Sequence, residues 1–383
     1  MKKWTALLLL VCLLVSLSVF GLKGTENNQT PTKHSGEKFR IAYTESSPYS
    51  SYAAHLYGIL VGLKEMGWIR SLEGIPYKAG QDDTAAMWQW LIKNQPSDYL
   101  QFVPNGYYSL NGDAIQTQTV YTRIHGGPHD IDLMLVMGTM AGRSLAVQKP
   151  DVPVLIFSTS NAIASQIIGS ATDSGKDNVW AHVDLKRYRK QVQVLHDIFH
   201  FKKLGIVYDD TLEGRSYADL DNVQAVCGQL GVELVRRTVT ENKNEADYSR
   251  YRSDMQKAFT DLSDKVDAFY LTAGNLKPQE LSDLLKPFYS KKVPVFSQLG
   301  GEEVQYGALI STAANYMDIG RFGAQVIARS LHGENPRRIP ATYEDTPKIV
   351  LNLDVARKIG YKPDFEILLI ADKLYLSQKG AKP

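Results

Sequence analysis

Five short segments of this chain hold residue types that bind a polar ligand through backbone and hydroxyl groups. They are Ser46-Ser47-Pro48-Tyr49, Gly138-Thr139-Met140-Ala141, Ser158-Thr159-Ser160-Asn161, Asp209-Asp210-Thr211 and Ala273-Gly274-Asn275. Small residues let backbone N–H groups approach a ligand, and a helix N-terminus that follows favours an anionic group. Each segment taken alone reads equally well as a helix cap, where Ser, Thr, Asp and Asn are preferred. Their recurrence in one chain points to a shared polar cleft.

Signatures of bond-breaking chemistry are missing. No Gly-x-Ser-x-Gly elbow offers a nucleophile, and no Gly-x-Gly-x-x-Gly follows a strand. Gly169 to Asp177 resembles a phosphate loop, but it has one residue too many between its glycines, and Asp177 stands where a hydroxyl must hold magnesium. His125 and His129 are four apart, yet Gly126, Gly127 and Pro128 forbid the helix that would put both on one face, so they read as a surface loop. His196 and His200 have helical spacing but no third ligand nearby, and no pair of carboxylates stands out for acid–base work. No catalytic residue, metal or cofactor is expected.

The elements that position the five segments alternate apolar runs with amphipathic stretches, the pattern of βα units around parallel sheets. Strands are expected at Phe39–Tyr43, Asp132–Met137, Val152–Phe157, Lys203–Tyr208, Val232–Val239, Ala268–Thr272, Val293–Ser297, Ala308–Ser311 and Ile349–Leu351. The first leads into a helix carrying Leu56, Ile59, Leu60 and Leu63 on one face and ending at Gly67. Further helices are expected at Asp184–His200, Tyr217–Leu230, Tyr248–Leu262, Pro278–Tyr289 and Tyr316–Leu331. Between Trp68 and Asp130 an aromatic-rich stretch breaks the rhythm. It predicts a helix near Thr84–Lys93, one or two strands near Tyr99–Tyr108, and loop elsewhere. In open α/β sheets ligands bind beyond the carboxyl ends of the strands, which is where the five segments fall.

The chain begins with Lys2 and Lys3 and the apolar run Ala6–Phe20 before Gly21. That run is short for a membrane span, and with its basic flank it reads as a signal peptide over residues 1–21, followed by a polar lead-in over 22–38. A retained membrane anchor and a lipid on Cys12 are the alternatives. The protein is expected in the periplasm. About 360 residues remain, more than one core usually organises, so two lobes are expected. Net charge is +2 with no basic block, which excludes nucleic acid as a partner. After export Cys227 is the remaining cysteine, and its helical stripe with Val223, Val226 and Leu230 marks a buried thiol.

Several runs resemble the ABC-transporter substrate-binding proteins of the tryptophan/tyrosine-binding group. They include Ile41-Ala42-Tyr43 with Tyr57 to Trp68, Asp132 to Thr139, Val152 to Phe157 with Ser160 to Ile163, and Tyr306 to Leu309. Asn315-Tyr316 with Ile319-Gly320-Arg321, Leu331 to Pro336 with Ile339-Pro340, and Asn352-Leu353 with Ala356 to Gly360 follow in order. The resemblance implies a type I periplasmic binding fold: two Rossmann-like α/β lobes with parallel sheets, joined by three crossovers. It divides the chain approximately into an N-terminal lobe of 39–161 and 300–345 and a C-terminal lobe of 162–299 and 346–383. It implies a monomer that captures a small molecule and hands it to the membrane permease of an ABC transporter. A sensor serving a membrane receptor kinase and an exported α/β enzyme are the alternatives. Carried over by position, Ser46, Ser47, Gly138, Thr139, Ser160 and Asn161 would line the cleft from the first lobe or the crossover, with Tyr49 as an aromatic face. Asp209, Asn275 and Gln298 would line it from the second. The chain departs from the family at Gly274-Asn275 and at Ser160-Asn161-Ala162, where carboxylates are usual, and its stretch from Trp68 to Asp130 is longer.

Overall fold

A computed structural model describes residues 36–376, apart from 147–148, 243–244 and 275. The expected signal peptide, nearly all of the lead-in, and Asn275 lie outside the described residues.

The first sheet has five strands: β1 (Phe39–Glu45), β2 (Leu100–Ser109), β3 (Leu133–Met137), β4 (Val154–Phe157) and β5 (Val179–Ala181), ordered β2-β1-β3-β4-β5. Every neighbouring pair is parallel. All residues of β3, β4 and β5 are buried, as expected of a parallel sheet covered on both faces. The covering helices include α1 (Ser50–Glu65), α2 (Thr84–Asn94), α3 (Ala114–Ile124) and α4 (Thr139–Leu145).

The second sheet contains β6 (Lys203–Asp209), β7 (Glu233–Val239), β8 (Ala268–Leu271), β9 (Val295–Ser297), β10 (Ile310–Ala313), β11 (Lys348–Asn352) and β12 (Lys373–Tyr375). Their order is β12-β11-β10-β9-β8-β6-β7, parallel except where β10 meets β11. One face packs through Ile206, Val223, Tyr270 and Leu351, and the other through Phe259, Phe269, Phe288 and Val295. Cys227 is buried in the first of these clusters, and burial pushes its thiol up to about 11. The helices of this lobe are α5 (Arg187–Phe199), α6 (Leu212–Tyr217), α7 (Leu220–Leu230), α8 (Tyr248–Ser263), α9 (Leu281–Leu284), α10 (Lys286–Ser290), α11 (Gly301–Tyr306), α13 (Leu353–Ile359) and α14 (Phe365–Ile370), while α12 (Tyr316–Leu331) returns to the first lobe.

There α12 lies against α1, and glycines make the approach possible. A Cβ on Gly58 would sit 2.7 Å from the Tyr316 carbonyl, and one on Gly320 would sit 2.6 Å from Gly58 Cα. The chain passes between the sheets three times: from β5 to α5, from β10 to α12, and from the residues after α12 to β11. Two crossovers pair at Val183 and Thr342, and His182 Nε2 lies 3.0 Å from the Tyr343 carbonyl. Arg187 Nη2 donates to Asp345 Oδ1 at 3.0 Å, and Asp345 Oδ2 accepts the Asn315 N–H, so one buried carboxylate ties all three together.

The structure differs from the sequence reading in several places. The first sheet extends to β5 at residue 181, beyond 161, and α11 and β10 sit with the second sheet, although residues 300–313 are expected in the first lobe. The helix expected at Tyr217–Leu230 breaks where Asp219 turns left-handed, with φ +46°. The one expected at Pro278–Tyr289 divides into a 3-10 turn and two short helices, with Pro287 in the first turn of the second. Within the stretch read as loop, α3 forms because Asp113 accepts from the Ile115 and Gln116 N–H groups. The rest of the aromatic stretch builds core: Trp88 and Phe102 are buried, and the Tyr43 ring packs against Trp88 and stacks on Tyr107.

Candidate functional site

The carboxyl ends of β1, β3 and β4 face those of β6, β8 and β9 across the crossovers. Ser46 follows β1; its Oγ accepts the Ala141 N–H at 3.0 Å, and its own N–H donates to the Met137 carbonyl. Gly138 caps α4 with φ +96°, and a Cβ there would collide with the Tyr52 hydroxyl and Ser46 Oγ. Thr139 is the first residue of α4 and not part of a free loop, and its Oγ1 accepts the Ser160 N–H at 3.4 Å. Ser47 is exposed. Tyr49 precedes α1, and its ring meets Tyr52 edge-on at 5.5 Å.

From the second lobe, Asp209 ends β6 and is 5 % exposed, with no hydrogen-bond partner for Oδ1. Gln298 is buried, and its side chain is committed within the lobe: Oε1 accepts the Ala273 N–H at 2.6 Å, and Nε2 donates to the Tyr217 carbonyl at 3.0 Å. It therefore shapes the loops after β8 and β9. Between the lobes, Asn161 Nδ2 donates to Asp219 Oδ1, Ser165 and Ser216 share a hydrogen bond at 2.7 Å, Arg143 pairs with Glu213, and Ser50 Oγ donates to Glu302 Oε2 at 3.2 Å.

Sequence reasoning missed Glu302 and Glu303. They occupy the first turn of α11, just after the Gly300-Gly301 pair that follows β9. The signal was available, because that glycine pair after a strand is the same kind of loop as the other five. Ser297 Oγ donates to Glu303 Oε2 at 2.6 Å. Burial pushes the Glu303 carboxyl up to about 8 and Asp209 up to about 6, and it also raises Glu302 and Asp219. Opposite them are rings: burial raises the Tyr49 hydroxyl well above its ordinary value and the neighbouring Glu303 adds to it, while Tyr316 is also raised by burial. The cleft thus sets an acidic second-lobe face against an aromatic and hydroxyl-rich first-lobe face, and shifted groups of this kind concentrate at functional sites. Among the described residues no group of three or more His, Cys, Asp or Glu side chains could hold a metal. Among the same residues no helix is long and apolar enough to cross a membrane.

Residues 107–375 match the family model described as ABC transporter substrate binding protein. The chain is 20 % identical over 294 residues to the tyrosine-binding protein of Clostridioides difficile, covering 76 % of this chain and 75 % of that protein. Its fold is similar to the ABC domain from Streptococcus pneumoniae in complex with L-Trp, with TM-score 0.65, 19 % identity, and coverage of 88 % of this chain and 100 % of that one. A ligand-free, open substrate binding protein with adhesive properties from Clostridium difficile gives TM-score 0.64 at 19 % identity, again over 88 % of this chain and 100 % of that one. At these identities the structural likeness establishes the fold, and it is the type I periplasmic binding fold that the sequence resemblance implies.

Proposed function

We propose that this chain, which belongs to the ABC transporter substrate binding protein family, is exported, captures a small molecule between its lobes and delivers it to an ABC permease. The ligand is an amino acid or a similar small polar or amphipathic solute, the class to which the L-Trp of the pneumococcal structure and the tyrosine of the clostridial protein belong. The observation that carries this reading is the meeting of strand carboxyl ends from two sheets, bridged by the Asn161–Asp219 and Arg143–Glu213 contacts. A ligand that touches both faces at once binds best when the lobes are together, and closure follows from that difference in affinity. By sequence position Asn275 belongs to the same proposed lining, as do Ser46, Tyr49, Thr139, Ser160, Asn161 and Asp209. Capture requires no catalytic group.

The test is native mass spectrometry of the protein purified from its host. The expected result is one unmodified small molecule released on denaturation. Chemical turnover of that molecule by the purified protein, or the absence of any retained or rebinding small molecule, would sink the reading.

A further inference from the structure

Asp209 and Glu303 line one small cavity in the second lobe, together with Tyr251, Thr272, Ala273 and Gly274. Its free space is about 10 Å³, barely enough for one water molecule. Asp209 is buried there with Oδ1 unpartnered, an arrangement that costs free energy until a donor arrives. Glu303 uses Oε2 for the Ser297 hydroxyl and is also bonded by the Leu299 backbone. Burial keeps it protonated at neutral pH until a cation beside it favours the ionised form, which has further lone-pair sites to offer. An ammonium group is close to water in size and carries three donors and a positive charge, which suits two carboxylates around a water-sized space. A guanidinium is too large for it.

The charges around the cleft carry the argument further. Arg143 and Arg187 line cavities between the lobes and Lys190 lines one at the hinge, and each already has an acidic partner: Glu213, Asp345 and Glu344. The first-lobe groups placed at the cleft above, Ser46, Thr139, Ser160, Asn161, Tyr49 and Tyr52, are neutral hydroxyls, an amide and rings, and the Glu45 carboxylate at the end of β1 adds negative charge near Tyr52. Aromatic faces attract a cation and offer nothing to an anion. A ligand carboxylate would therefore meet committed cations, while a ligand ammonium meets open acceptors.

We propose that the Asp209–Glu303 cavity receives the primary ammonium of a small cationic amine, and that this amine, not a zwitterionic amino acid, is the preferred ligand. The inference rests on the capture function above and narrows its ligand class. The test is isothermal titration of two matched pairs, tyramine with tyrosine and cadaverine with lysine, whose members differ by one carboxylate. In at least one pair the amine binds about tenfold or more tightly than its amino acid, as a lost charge-assisted contact predicts. N-acetyltyramine, tested on the unaltered protein, loses that binding if tyramine shows it. Glu303→Gln and Asp209→Asn each remove most of the amine's advantage. Equal or tighter binding of the amino acids overturns the inference, as does an advantage that survives both substitutions. Failure of all four compounds to bind also overturns it. In that case a different molecule retained from the host leaves the capture function standing, and no retained molecule removes both. Should Asp209→Asn fail to fold, Glu303→Gln and N-acetyltyramine decide the matter.

Discussion

Asn161 Nδ2 donates to Asp219 Oδ1 at 2.9 Å, tying the loop after β4 to the residue where the second lobe turns left-handed between α6 and α7. Both ends are preset. Asn161 Oδ1 accepts the Ala164 N–H at 3.0 Å, and Asn222 holds both carboxylate oxygens of Asp219. With Arg143–Glu213 and Ser165–Ser216 this contact forms a latch along one side of the cleft.

Asn161→Ala removes part of that latch. One such hydrogen bond is worth about 1 kcal/mol, so the closed-to-open ratio falls by roughly fivefold, and where closure is finely balanced the closed population falls by about threefold. Apparent ligand affinity weakens by a similar factor, and small-angle X-ray scattering of the protein without added ligand shows a larger radius of gyration. An affinity loss with unchanged scattering would mean that Asn161 acts on the ligand and not on closure.

The hinge makes a larger demand. The Asp345 and Asp184 side chains are 2 % and 6 % exposed, and the Arg187 guanidinium lies near both. Arg187→Met leaves two buried carboxylates without their cation, a change that costs about 3–5 kcal/mol in comparable buried pairs. Adding Asp345→Asn recovers part of that loss, because the stranded charge is removed. Urea denaturation of the two single variants and the double variant measures the coupling, and strict additivity would show that the pair is not a unit.

The period of the apolar runs carried the sheets. Tyr316–Leu331 emerges with the bounds read from its stripe, and β1, β3, β6 and β7 lie within a few residues of expectation. Shorter or more polar elements were hidden. Val179–Ala181 is three residues long, and Lys373–Tyr375 has two of its three residues exposed, so neither shows a period. In Ala114–Ile124 the buried side is just Val120, Arg123 and Ile124. The site was legible as loops but not as contacts. Gln298 was found by position, yet its side chain bonds its own lobe. Glu303 went unremarked because an acid in a first helical turn is unexceptional until tertiary burial shifts it.

Gly138→Ala tests how tightly the first-lobe face is built. The backbone at φ +96° disfavours any side chain, and the new Cβ collides with the Tyr52 hydroxyl. A destabilisation of about 1–3 kcal/mol is expected from the strain. Tyr52→Phe in the same chain removes the colliding oxygen and recovers part of it, measured by thermal melting. No recovery would locate the cost in the backbone and in the contact with Ser46 Oγ, 2.5 Å from the same Cβ.

Stability should fall as the solution is made more basic across the neutral range. Burial holds Glu303 at about 8 and Asp209 at about 6, both above the values these groups take in an unfolded chain, near 4.5 and 3.8. Between the unfolded and folded values the native protein binds more protons, so the slope of stability against pH is negative. Their contribution is complete below about pH 4 and is lost as pH rises first through 6 and then through 8. Other groups act the opposite way: carboxylates such as Asp173, held below their ordinary range, weaken the protein on the acid side, and burial holds the His55 and His182 imidazoles below theirs, so these add stability as pH rises towards about 6.5. Thermal melts from about pH 6.5 to about pH 8.5, above the range in which the buried imidazoles titrate, should therefore show a decline that is lost in Glu303→Gln, since glutamine cannot ionise. If the decline is the same in that variant, Glu303 is not the group responsible, and its carboxyl is better solvated than its place between Tyr49 and Ser297 implies.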